Sequence, residues 1–195
     1  MKIKFIGFLL SACLGISVNP VNADWSLDNS ASSLFYVTSK ASAVSEVNQF
    51  TRLDGALSND GLAVLDIDLS SVDTAIEIRD ERMKEHVFQI GQYTHASVSL
   101  NFDIAELEAL RIGQSYTQEY VAMLNLHGAT QPVTAEIRIS KMMDSSIQAD
   151  LVKPLIINAA TFGMAEGVEA LREIAGLTSI NNNVAVDFSL NFKPE

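Results

Sequence analysis

From Asp24 onward most of the chain alternates between apolar and polar positions. "LAVLDIDLSS" puts Ala63, Leu65, Ile67 and Leu69 on one face and Asp66, Asp68 and Ser70 on the other. "HASVSLNFDI" sets Ala96, Val98, Leu100, Phe102 and Ile104 against Ser97, Ser99, Asn101 and Asp103. "PVTAEIRIS" sets Val133, Ala135, Ile137 and Ile139 against Thr134, Glu136 and Arg138, and "VAVDFSLNF" repeats the pattern from Val184 to Phe192. "SSLFYVTSK", rich in β-branched and aromatic residues, and "YVAMLNLHG" read the same way. A period of two means one buried face and one wet face, as in antiparallel sheet. Turn signals punctuate the pattern at "SNDG" (58–61), "HGATQP" (127–132) and "MMDSS" (142–146). With "NQFTRLDGA" and "SSIQADLVKPLII" the reading predicts about eight strands in up-and-down order. Strands joined in that order by short turns close into a β-barrel. The expected class is therefore all-β, an eight-stranded antiparallel barrel whose interior either fills with side chains or holds one elongated ligand.

Two segments break the alternation and predict short helical inserts. In "SSVDTAIEIRDERMKEHVFQI", eight of the eleven residues from Glu77 to Val87 are charged or His. Thr74-x-x-Glu77 has the form of a capping box, Asp80 and Lys84 stand at i,i+4, and Ile76, Met83 and Val87 lie near one stripe. The second insert, "MAEGVEALREIAG", carries Met164, Val168, Leu171 and Ile174 or Ala175 at helical spacing and ends at Gly176.

The first residues do not belong to this pattern. Lys2 and Lys4 precede an apolar run from Phe5 to Leu14, too short to span a bilayer, and "VNA" ends at Ala23. Residues 1–23 therefore read as a signal peptide and 24–195 as a single domain, periplasmic or secreted. The alternative is lipidation of Cys13, because "LSAC" resembles a bacterial lipobox, although the following residues stay apolar. Cys13 is the only cysteine, so the chain after Ala23 has no disulfide, thiolate metal site or cysteine nucleophile. Such a domain rests on its core. Loss of Lys2 and Lys4 would change the net charge from −11 to −13, which argues against nucleic acid or anionic membrane as the main partner.

Catalytic chemistry finds little support. His86, His95 and His127 are the only histidines and none is at metal-ligand spacing from another. There is no Gly-x-Ser-x-Gly elbow and no Gly-rich phosphate loop. Asp66 and Asp68 share a strand face, but alternation explains them as its solvated side. Arg79 and Asp80 form a candidate pair, either pinning the charged insert or bordering the mouth of the barrel.

Several phrases, in order along nearly the whole chain, resemble the YceI-like family. "SSVDTAIEIRDERMKEHVFQIGQY" resembles that family's Ser-Val-x-Thr, Arg-Asp and Lys-Tyr-Pro segment, and "LNLHGATQPVTAEI" its Gly-Val-Thr-Lys-Pro-Val strand pair. "LIINAATFGM" is similar to its late Phe-Gly turn, "DWSLDNSASSLFYV" to its opening and "FTRLDGAL" to its early hairpin. The resemblance implies a lipocalin-like barrel, exported, with an apolar tunnel for an isoprenoid, quinone tail or fatty-acid derivative, and no enzyme. The chain departs from the pattern at Ala159, Ala160 and Thr161, where Arg-Ser-Asp is usual, at Thr94, where the turn proline is usual, and at Asn48, which replaces a usual glycine. The first departure removes an expected polar head-group contact, and the longer insert from Met164 to Gly176 would cap or fill the mouth.

These readings converge on a non-enzymatic carrier whose barrel is lined by inward faces: Leu34, Tyr36, Leu65, Ile67, Leu124, Leu126, Ile137, Phe188 and Leu190, with Phe88 and Phe162 at the tunnel ends. No catalytic residue, metal or cofactor is expected beyond a bound isoprenoid or other lipid. The expected partner is that apolar small molecule; a homodimer and an envelope protein stay open as further partners. The rival reading is a structural or interaction module of the envelope with a filled barrel.

Overall fold

The computed structural model describes residues 24–41 and 44–195. The proposed leader, with Cys13, lies outside them. Twelve strand segments follow one another: β1 (Trp25–Leu27), β2 (Ser33–Lys40), β3 (Val44–Phe50), β4 (Leu53–Leu57), β5 (Leu62–Asp68), β6 (Val72–Asp73), β7 (His95–Asn101), β8 (Ser115–Leu126), β9 (Ala129–Lys141), β10 (Ile147–Leu151), β11 (Leu155–Asn158) and β12 (Asn183–Pro194). Three α-helices join them: α1 (Glu77–Arg82), α2 (Ile104–Ala109) and α3 (Ala165–Ile174).

The twelve segments make eight staves, because β1 runs on into β2, β3 into β4, β5 into β6 and β10 into β11 across short kinks. Every pairing is antiparallel, and each stave pairs with the next one in the chain. β12 closes the ring. One of its edges pairs with β10 and β11, and the other with β2 and β1. The barrel is thus an up-and-down meander of eight antiparallel staves.

Two of the kinks are stitched together. Between β1 and β2 a single 3-10 turn (Asn29–Ala31) starts at Asp28, whose carboxylate accepts the Ser30 N–H at 3.0 Å. Asn29 then reaches across to the neighbouring kink. Its amide donates to the Thr51 carbonyl at 3.0 Å, and its oxygen accepts the Leu53 N–H at 2.7 Å. Two backbone groups that leave the ladder at the β3–β4 kink are thus satisfied by one side chain from the β1–β2 kink.

Three local expectations change. The alternation through Ile104 does not continue as strand: Asp103 accepts the Ala105 N–H at 2.9 Å and opens α2, a helix too short to show a 3.6-residue period. The "HGATQP" turn shrinks to His127 and Gly128, with φ of 52° and 75°. Positive φ at both central residues suits a tight hairpin turn, so β8 and β9 pair without interruption from Leu126 and Ala129 outward. The capping box does not form. Asp73 accepts the Ala75 N–H at 2.8 Å, Ala75 takes a φ of 60°, and α1 begins only at Glu77 with no side-chain cap. Thr74 is instead held by Asp80, which accepts its backbone N–H at 2.8 Å and its hydroxyl. Lys84 accordingly pairs with Glu81 at 2.9 Å and not with Asp80, and Ile76 is exposed while Met83 and Val87 are buried.

α1 continues into one π turn (Met83–Val87), closed by the Phe88 N–H on the Met83 carbonyl at 2.9 Å. Arg79 ties this insert to the barrel. One terminal nitrogen meets the Glu46 carboxylate on β3 at 2.6 Å, and the other donates to the Thr74 carbonyl. Lys40, across the ladder, donates to the same carboxylate at 2.9 Å. Burial pushes the Glu46 carboxyl up, but the hydrogen bonds and charges of Lys40 and Arg79 outweigh it and leave the group below its ordinary value. α3 packs against the π turn at Gly167. A Cβ there would lie 2.2 Å from the His86 carbonyl oxygen, so only glycine permits the approach.

Two outcomes test this frame. Gly167→Ala should destabilise the protein by about 1–3 kcal/mol in denaturant titration despite its better helix propensity, because backbone must move to admit the methyl; a gain in stability would show that the helices part freely. Glu46→Gln should lower Tm at neutral pH. A carboxyl with a depressed folded pKa stabilises fully above its ordinary value of 4.5 and loses that contribution as pH falls through the folded value. The Tm deficit should therefore close below pH 4.5, and a deficit unchanged with pH would assign the effect to shape instead of charge.

Candidate ligand-binding site

The inward faces of all eight staves surround one elongated cavity of about 320 Å³, within the usual range for small-molecule sites. Its wall includes β12 from Val184 to Phe192. Eight strand steps at about 3.3 Å, tilted by about 40° to the axis, correspond to a length of roughly 20 Å. The middle of the wall is wholly apolar. Ala63, Leu65 and Ile67 come from β5, Ala96, Val98 and Leu100 from β7, Ala122 and Leu124 from β8, and Val133, Ala135 and Ile137 from β9. Ala63, Ala96, Ala122 and Ala135 are the small residues of this layer, and their size keeps volume open where larger side chains would meet.

The two ends differ. At the end that carries the β4–β5 turn, α2 covers the cavity with buried Leu107, beside Phe102 and Tyr116. The Tyr116 and Tyr120 hydroxyls stand 3.3 Å apart, and burial pushes both phenols above their ordinary value. At the opposite end α1, the π turn and α3 converge. Met83, Val87, Met164, Val168 and Leu171 contribute apolar surface there, and the polar residues Thr38, Lys40, Asn48, Arg79 and Asn181 border it. Phe50 stacks on Tyr36 at 5.4 Å and tilts against Phe88 at 5.5 Å, so three aromatic rings form one cluster in the cavity wall. Burial raises the Tyr36 phenol far above its ordinary value, and its hydroxyl faces the Met83 sulfur at 3.6 Å.

Leu34, Tyr36, Leu65, Ile67, Phe88, Leu124, Leu126, Ile137, Phe188 and Leu190 all line the cavity. Phe162 does not. It is buried in the core, in the 3-10 turn (Ala159–Phe162) that leads to α3, and stands behind the wall. Arg79 borders the mouth and also pins α1, whereas Asp80 faces Thr74 and is not part of the wall. Met164, Val168 and Leu171 cap the cavity without filling it.

The polar collar is what strand patterning overlooks. Thr38, Lys40 and Asn48 occupy inward positions, where alternation marks a polar residue as an interruption. Only the register of β2 with β3, which pairs Thr38 with Glu46 and Tyr36 with Asn48, brings them together.

Other titratable groups stay dispersed. Asp68 pairs with Arg52 at 2.7 Å, His95 lies 3.6 Å from Asp66, His86 lies 3.8 Å from Glu85, and His127 packs on the Tyr93 ring at 4.3 Å. Among the described residues no three His, Cys, Asp or Glu side chains gather as metal ligands would.

Comparison with known proteins agrees with this architecture. A polyisoprenoid binding domain from Saccharophagus degradans, implicated in plant cell wall breakdown, is 34% identical over 89% of this chain and all of its own, with a TM-score of 0.87. BcnA of Burkholderia cenocepacia shares the fold at 17% identity, covering 85% of this chain and 98% of its own, with a TM-score of 0.66. The Campylobacter jejuni YCEI protein does so at 13% identity, covering 96% and 98%, with a TM-score of 0.51. No curated protein matches the sequence. The model of the YceI-like domain matches residues 25–192, and the chain belongs to the YceI-like family.

Proposed function

We propose that this protein is a non-enzymatic carrier that holds the chain of a polyisoprenoid or similar amphiphile in its barrel, outside the cytoplasm. The observation that carries the reading is the continuous apolar cavity bounded by all eight staves. A long hydrocarbon inside it leaves water and gains about 0.8 kcal/mol per buried methylene. The Saccharophagus degradans domain, described as polyisoprenoid binding and similar along its whole length, supports the same class of ligand. A barrel packed solid would have favoured an interaction module, and the open volume weighs against that reading.

The mechanism needs no bond-making. The ligand chain replaces water against apolar walls, and the caps at the two ends shield it from solvent. Native mass spectrometry and organic extraction of the purified protein should reveal a co-purifying long-chain lipid. Ala122→Phe, which fills the middle of the cavity, should abolish that lipid while the protein remains folded by circular dichroism. Retention of the lipid by a folded Ala122→Phe protein would place the ligand elsewhere.

A further inference from the structure

The two ends of the cavity are closed to different degrees. At the α2 end the lining side chains are sealed from solvent: Leu107 is 3% exposed, Ile147 1% and Phe192 4%. At the opposite end the lining residues Val168, Leu171 and Ile180 are half-buried and Asn181 is exposed. The barrel is therefore a blind tube, entered beside α3 and shut under α2.

The shut end has a firm support. The Phe102 N–H donates to the Gly61 carbonyl at 2.8 Å, and a Cβ on Gly61 would lie 2.5 Å from the Phe102 carbonyl oxygen. The β4–β5 turn and the start of α2 are thus in direct backbone contact, and Asp103 caps the helix one residue later. Register sets Leu57 opposite Ala63, Ala63 opposite Leu100, and Ile147 opposite Phe192. These residues form the last layer of the wall, and Leu107 closes it.

Between mouth and floor the wall offers apolar surface. A polar group buried against it would lose its water without gaining a hydrogen bond. An amphiphile therefore enters tail first and leaves its head group at the mouth, so the site reads the tail. A saturated chain advances about 1.3 Å per carbon, the projection of a single bond of about 1.5 Å along a zigzag. The roughly 20 Å axis then accepts about 15 carbons. At about 30 Å³ for a group the size of a water molecule, a volume of about 320 Å³ accepts about 11. The two limits bracket a tail of roughly three isoprene units.

Building on the carrier reading, we infer that the barrel is a chain-length ruler for single tails of about 11 to 15 carbons, with Leu107 as its end stop and specificity-determining residue. Each carbon adds to affinity while it finds wall to cover it. Once the tip meets Leu107, further carbons stay outside the mouth and add nothing.

The test measures affinities of saturated 1-alkanols for the full chain by displacement of diphenylhexatriene, each alcohol below its solubility limit. Affinity should rise about fourfold per carbon, as expected for one buried methylene, and level off between about 11 and 15 carbons. Leu107→Ala, which deepens the tube, should shift the levelling-off to chains about two carbons longer and leave the affinities of shorter chains within about twofold. A steady rise through about 20 carbons overturns the ruler and leaves the carrier reading intact. A levelling-off that a folded Leu107→Ala protein does not move overturns the role of Leu107. Binding of neither diphenylhexatriene nor any alcohol overturns both readings. If Leu107→Ala does not fold, Leu107→Val decides by a shift of about one carbon.

Discussion

Ring closure at β12 is the constraint on which the remaining structure depends. This one stave pairs along both edges, with β10 and β11 on one side and β2 and β1 on the other. Closure removes the free strand edge that an open sheet would present. It also decides what alternation means. In an open sheet the apolar face needs a second layer to cover it. In a ring the same face covers itself, and with eight staves and small residues at Ala122 and Ala135 the covered space is not completely filled. The cavity follows from strand number and side-chain size together.

The inserts depend on the ring as well. α1 and the π turn leave the barrel after β6 and return at β7, and they hold their place through Arg79 on Glu46, two residues above Asn48 on the same inward face. α3 leans on the π turn through Gly167. One end of the cavity is therefore defined by a chain of contacts running from stave to α1 to π turn to α3. The other end is closed more simply, by a single helical turn and Leu107. Most of the chemistry sits where the contacts are most elaborate.

Much of this was legible in the sequence. Period-two patterning located the staves and oriented Leu65, Leu124 and Phe188 toward the interior, because a buried face demands apolar residues at every second position. What escaped has a physical reason in each case. α2 was hidden because Phe102 and Ile104 continue the strand alternation while Asp103, the residue that ends it, looks like one more polar position. The capping box misled because Ala75 adopts a left-handed conformation and shifts the helix start to Glu77. Phe162 was expected at a tunnel end, but it is buried in the short 3-10 turn before α3 and does not line the cavity. Asn48 escaped because a polar side chain on an inward face reads as noise until the opposite strand is known. Single-strand periodicity reports which face is buried, and only register reports which polar atoms meet there.

The shared carboxylate at the mouth has a further consequence for a protein with a net charge of −11. Lys40 and Arg79 share the single Glu46 carboxylate, so the trio leaves one positive charge in excess at the entrance of an otherwise acidic protein. That local excess is screened over about 8 Å at physiological ionic strength, so it acts only at short range. On the carrier function proposed above, an apolar chain would distribute between solution and barrel according to how much hydrocarbon each can shelter. Its direction would then be set by relative concentrations, with the barrel acting as a partition compartment.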